Sequence, residues 1–157
     1  MGNAYCQIFV HIIFAVKYRE GVIGPSWQDE LYSYMIGVVE NRGHKVYAIG
    51  GIKDHVHLLV SMSPNQSVSD LVHDVKRVST NWIKERHFVR GRFAWQEGYG
   101  AFSYGKSQID KVVHYIQNQK EHHIGKTMKE EYIDFLKAFG TVFDERYVLK
   151  DVDELED

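Results

Sequence analysis

A single cysteine, Cys6, in 157 residues excludes an internal disulfide and, by itself, a thiolate-built metal knot, so packing alone must hold the fold. Only two prolines occur, and no repeat, low-complexity tract or linker-like stretch divides the chain, which reads as one domain over residues 1–140. No run reaches the roughly 18 apolar residues of a membrane span. The opening MGNAYCQIF lacks the charged leader, apolar stretch and cleavage site of a secretion signal. The expectations are no membrane association and a cytoplasmic location. A GxxxxGK phosphate loop is also missing. The formal net charge is −2, which argues against tight nonspecific duplex binding.

What the chain does have is unevenly distributed. Of 19 basic and 21 acidic side chains, only 2 basic but 7 acidic ones follow Gly140, so residues 141–157 form an acidic tail. Between Lys76 and Arg92 the bases Lys76, Arg77, Lys84, Arg86, Arg90 and Arg92 face one acid, Glu85. Trp82 and Phe88 lie among them, and Phe93 and Trp95 directly follow. Cations interleaved with aromatic rings suit a single-stranded nucleic acid, whose phosphates need charge and whose bases stack; a solvated helix face over core aromatics would give the same pattern.

Periodicity predicts an α+β domain. Alternation from Tyr5 to Val16 predicts a long strand, with Cys6, Ile8, Val10, Ile12 and Phe14 on one face. A helix follows Pro25, with Trp27, Leu31, Tyr34/Met35 and Val38/Val39 recurring at helical spacing until Asn41-Arg42-Gly43. Val46–Ile49 and His55–Met62 read as strands joined by a hairpin connection over Gly50–Asp54. Ser67 caps a second helix with a stripe of Val68, Leu71, Val72, Val75, Val78 and Trp82, ending near His87. A fourth strand falls within Phe93–Gly105. A helix opening at Ser107, with Asp110 three residues on, carries Ile109, Val112, Val113 and Ile116, and an amphipathic piece around Tyr132, Phe135, Leu136 and Phe139 closes the domain. The β-α-β-β-α-β order is that of the ferredoxin-like split βαβ sandwich, an antiparallel sheet with helices on one face and the other open for binding.

The sharpest local feature is Asp54-His55-Val56-His57-Leu58-Leu59-Val60. Strand alternation sends Val56, Leu58 and Val60 to the core and both histidines to the opposite face, with Cα atoms about 6.5–7 Å apart. Two imidazoles at that spacing can share one divalent cation, or simply be polar residues on a half-covered strand. Tyr115, Gln119 and His122 follow one another along one side of the last helix, Tyr115 on the polar flank of its apolar stripe. An amphipathic tyrosine covering a helix edge is the plainer account of that position.

Taken together, these motifs resemble the single-tyrosine transposases of the HUH endonuclease superfamily, which include insertion-sequence and REP-associated tyrosine transposases. The resemblance covers about residues 4–123. It rests on HIIFAVKYRE at 11–20, DHVHLLVSM at 54–62, VKRVST at 75–80, WQEGYGAFS at 95–103 and YIQNQKEHH at 115–123. It implies Tyr115 as nucleophile and His55, His57 and Gln119 as ligands of Mg²⁺ or Mn²⁺. The implied reaction cuts and rejoins single-stranded DNA at hairpin-bearing element ends through a 5′-phosphotyrosine. A homodimer with active sites completed in trans is implied as well. Lys76, Arg77, Lys84, Arg90, Arg92 and Trp95 would then grip a stem or its flanking strand. His122 is a candidate base and His11 a candidate neighbour of the site, while Tyr99 and Tyr104 lack a glutamine at the helical spacing. The alternative within the same fold is a catalytically silent or domesticated hairpin-binding protein; a relaxase or a small-molecule hydrolase fits the short chain and its lone candidate tyrosine less well.

Overall fold

A computed structural model describes residues 5–17, 21–119 and 127–138. The elements are β1 (Phe9–Ala15), α1 (Pro25–Glu40), β2 (Lys45–Ile52), β3 (His55–Ser61), α2 (Val68–Glu85), β4 (Gly100–Tyr104), a 3-10 turn (Lys106–Gln108), α3 (Ile109–Gln117) and α4 (Met128–Ala138). The four strands form an antiparallel sheet in the order β2-β3-β1-β4, which is the split βαβ arrangement expected from the element order.

Local chemistry sets most boundaries. Pro25 opens α1, where its missing N–H costs nothing. The Ser67 hydroxyl accepts from Asp70 N at 3.0 Å to cap α2. Three boundaries differ from expectation. β1 begins at Phe9 rather than Tyr5. β2 continues through Gly50, Gly51 and Ile52 paired to β3, leaving Lys53-Asp54 as the turn. α3 is not capped by Ser107: a 3-10 turn precedes it, with Gln108 Oε1 accepting from Gly105 N at 3.2 Å.

The sheet separates two environments. Toward α1 and α2, Val10, Ile12, Phe14, Val56, Leu58 and Val60 join Leu31, Met35, Leu71, Val75 and Ile83 in the main core. The opposite face was expected to be open, and it is not. α3 covers Phe9, Ala48 and Leu59 with Ile109, Val112 and Ile116. α4 covers Ile13, Ala15 and Phe102 with Tyr132 and Leu136. Two glycines make this possible: a Cβ at Gly50 would strike the backbone carbonyl of Ile116, and one at Gly100 would strike the Tyr132 ring. Both helices therefore sit directly on the strands.

Candidate active site and metal centre

Alternation along β3 puts His55 and His57 on the α3/α4 side, opposite Ala15 and Ile13 of β1. Both imidazoles are fully buried, a departure from the surface pair that the alternation suggested, because α3 and α4 close over them. α3 brings Tyr115 to 5.7 Å, ring centre to ring centre, from His57. Gln119, just past the end of α3, places its Oε1 3.3 Å from His55 Nε2. One chain is enough to bring the tyrosine, the amide and both histidines together; no second subunit is needed for that convergence.

Each histidine is held from behind through its Nδ1. His55 Nδ1 lies 2.7 Å from Asp54 Oδ1, and His57 Nδ1 lies 2.8 Å from His11 Nε2. Such partners fix ring orientation and leave both Nε2 atoms aimed at a common point. His11, from β1, is itself completely buried. Burial, with His57 alongside, holds its imidazole well below the ordinary range, and Glu131 pulls only weakly the other way. It is therefore a neutral ring that orients His57.

No motif points to Glu131, yet its carboxylate enters the same cluster from α4. Oε1 is 2.9 Å from His57 Nε2 and 3.8 Å from His55 Nε2, and Oε2 accepts the Tyr115 hydroxyl hydrogen. Burial first, then the Glu131 charge and this hydrogen bond, push the phenol well above its usual value, with Gln119 opposing slightly. The signal was present but faint: Glu131 stands one turn before Phe135, so a carboxylate shares the inward side of an amphipathic helix.

Donor atoms of His55, His57 and Glu131 lie within 4.8 Å of one another and could hold a metal ion. The donor chemistry favours one. Gln119 Nε2 donates to Tyr115 O at 3.2 Å, so its Oε1 turns a lone pair toward His55. A neutral His55 has one N–H to offer both that oxygen and Asp54, and a cation at Nε2 removes the conflict. Separations of 2.9, 3.3 and 3.8 Å are near those of neighbouring ligands around a small divalent ion, about 3 Å for bonds of about 2.1 Å.

The basic stripe divides. Lys76 is turned inward, donating to Gln96 O at 2.7 Å and Gly98 O at 2.6 Å. Trp95 is core: it is buried, packs edge-on against Phe14 and Phe93, and donates to Ser79 Oγ at 3.0 Å. Phe93 is buried too, and Trp82 and Phe88 pack against the core, so the interleaved aromatics are explained by packing. Arg77, Lys84, Arg90 and Arg92 are exposed. Lys84 and Arg92 line a groove of about 400 Å³ with Lys17 and Val16. Val16 N bonds to Asp54 O at 2.9 Å, so this groove opens at the His55 end of the sheet. His122, Phe139 and the acidic tail lie outside the described residues.

An antiparallel split βαβ sheet with a two-histidine strand facing a tyrosine helix defines the class of small transposases. The family profile described as "Transposase IS200 like" matches residues 4–119, and the chain belongs to this family. It is similar to the ISDra2 transposase TnpA of Deinococcus radiodurans, with 27% identity over 128 residues, covering 76% of this chain and 90% of that protein. The transposase for insertion sequence element IS200 of Salmonella typhimurium is 28% identical over 116 residues, 71% of this chain and 76% of that one. Among solved structures, a Deinococcus radiodurans R1 protein described as a transposase aligns with a TM-score of 0.56 at 25% identity, over 76% of this chain and 96% of its own. A REP-associated tyrosine transposase bound to a REP hairpin aligns with a TM-score of 0.60 at 14% identity, over 79% and 73%; at that identity the likeness concerns the fold. Among the described residues no helix is long and apolar enough to cross a membrane.

Proposed function

We propose that this transposase cleaves and rejoins single-stranded DNA at hairpin-bearing ends, with Tyr115 as nucleophile and His55, His57 and Gln119 as ligands of Mg²⁺ or Mn²⁺. The observation that carries this reading is the convergence, within one chain, of the Tyr115 hydroxyl, two Nε2 atoms and an amide oxygen in one cluster. When bound, the ion supplies charge for the phosphate oxygens and polarises the scissile bond. The residues supply the rest. Asp54 and His11 hold the imidazoles in register, Gln119 ties the ligand set to the backbone of the nucleophile's own turn, and the hydroxyl is kept protonated until attack. Loss of that proton lets Oη bond to phosphorus as the bond to the 3′-oxygen breaks, giving a 5′-phosphotyrosine and a 3′-hydroxyl. Bond energy is conserved in the enzyme–DNA link, so rejoining needs no nucleotide.

Arg77, Lys84, Arg90 and Arg92 would contact phosphates of a stem or its flanking strand. A relative in fold is described in complex with a hairpin, which supports the same substrate class here. A homodimer is supported by Tyr47, exposed on the edge strand β2, and by Tyr5 and Ile8, exposed just ahead of β1.

The test is incubation with hairpin-ended single-stranded DNA and Mn²⁺. A denaturation-resistant DNA adduct is expected for the unaltered protein and none for Tyr115→Phe; an undiminished adduct would reassign the nucleophile. Complete burial of both imidazoles favours one second reading, a hairpin-binding protein that no longer cuts. Hairpin affinity with no cleavage in either Mg²⁺ or Mn²⁺ would select it.

A further inference from the structure

Glu131 lies beyond the residues 4–119 that match the transposase family, on a helix with no counterpart among the motifs of the sequence. It nonetheless lies against both histidines and the tyrosine of the cluster. Only 4% of it is exposed, and its two oxygens face different partners: Oε1 lies against the imidazole Nε2 atoms, and Oε2 against the nucleophile's hydroxyl. Its position is built. Glu131 N donates to Thr127 O at 3.0 Å and Glu130 N to Thr127 Oγ1 at 3.2 Å, fixing the first turn of α4. One residue on, Tyr132 occupies the space that Gly100 leaves open.

Two chemical needs of the site are left unmet by His55, His57 and Gln119. Those ligands are all neutral when they bind, so a divalent ion among them has no charged group directly against it. The Tyr115 hydroxyl must also give up its proton on attack, and Glu131 Oε2 is the atom that already accepts its hydrogen bond. We infer that Glu131 is a further catalytic residue meeting both needs, with Oε1 joining His55, His57 and Gln119 as a ligand and Oε2 taking the Tyr115 proton at attack. The inference rests on the reading of the site given above. The step balances: the proton passes from Oη to Oε2, the Oη–P bond forms, the P–O3′ bond breaks, and the 3′-oxygen takes a proton from water. The hydroxide so produced recovers the proton held on Glu131.

The test measures Mn²⁺ binding to the full chain by electron paramagnetic resonance, alongside single-turnover adduct formation at saturating Mn²⁺. Thermal melts of each variant check the fold. Glu131→Gln is expected to weaken Mn²⁺ binding about 10- to 100-fold and, with the ion site filled, to slow adduct formation about 100-fold or more. Unchanged Mn²⁺ affinity overturns the ligand role, and an unchanged rate at saturation overturns the proton-acceptor role. A faster reaction in Glu131→Ala overturns both, since it would mean that the carboxylate merely fills the place of a phosphate. If both variants unfold, the unmutated protein answers: Mn²⁺ must broaden the ¹³C signal of the Glu131 carboxyl, and a sharp signal overturns the assignment. A His57→Ala variant that binds Mn²⁺ normally would instead defeat the underlying reading of the histidine pair.

Discussion

The two faces of the sheet are built from alternate residues of the same strands, yet they obey different rules. On β3, Val56, Leu58 and Val60 enter a continuous apolar core beneath α1 and α2, while His55 and His57 point into a polar cluster between two small apolar patches beneath α3 and α4. The first face gains stability roughly in proportion to the apolar area removed from water. The second buries imidazoles, an amide, a carboxylate and a phenol, groups that cost free energy unless each finds a partner. One face holds the domain together, and the other uses that rigidity to keep reactive groups in register.

Three substitutions test this division. The largest loss of stability is expected for Leu58→Ala, a fully buried side chain in the main core: about 2–5 kcal/mol by denaturant unfolding. A loss well under 1 kcal/mol would mean that the main core does not carry the fold. Next comes Gly50→Val, which forces α3 off β2 at Ile116. It should cost about 1–3 kcal/mol while eliminating the Tyr115–DNA adduct, because the proposed nucleophile rides on that helix and Gln119 directly follows it. A variant with full adduct formation would show that α3 does not depend on this close approach.

The smallest effect concerns Lys76, whose ammonium burial lowers from 10.5 to about 8. The folded state therefore releases this proton before the unfolded chain does, and stability is gained as pH rises from about 8 toward 10.5. The neutral amine keeps enough N–H groups for both carbonyl partners. Relative to Lys76→Met, the unaltered protein should gain stability over this window, read from melts at pH 7, 8, 9 and 10. A constant difference would mean that Lys76 titrates as an ordinary surface amine.

How far the chain could be read in advance follows the same division. The apolar face was legible, since period-2 and period-3.6 patterns report directly which side of a strand or helix is covered. The histidine pair and the Tyr115–Gln119 spacing were also legible as motifs. Their burial was not, because it depends on two helices settling on the face that the pattern leaves polar, and nothing local records that Gly50 and Gly100 make room for them. Asp54 was visible beside His55 but not as its hydrogen-bond partner. Glu131 was hidden by distance along the chain, one acid among many near the C-terminal end. Lys76 and Trp95 stand among the expected DNA contacts because charge and aromatic character look alike in sequence, whether a side chain faces solvent or a neighbouring carbonyl.

The side chain of Gln119 spans two different demands, its nitrogen end giving a hydrogen to the Tyr115 carbonyl while its oxygen end faces His55. Only a group with a donor at one tip and an acceptor at the other can sit there without rotating. A glutamate of equal length would set oxygen against oxygen at the helix terminus, so here the amide is not an uncharged version of an acid but a polarity marker that fixes which way the last turn of the helix addresses His55.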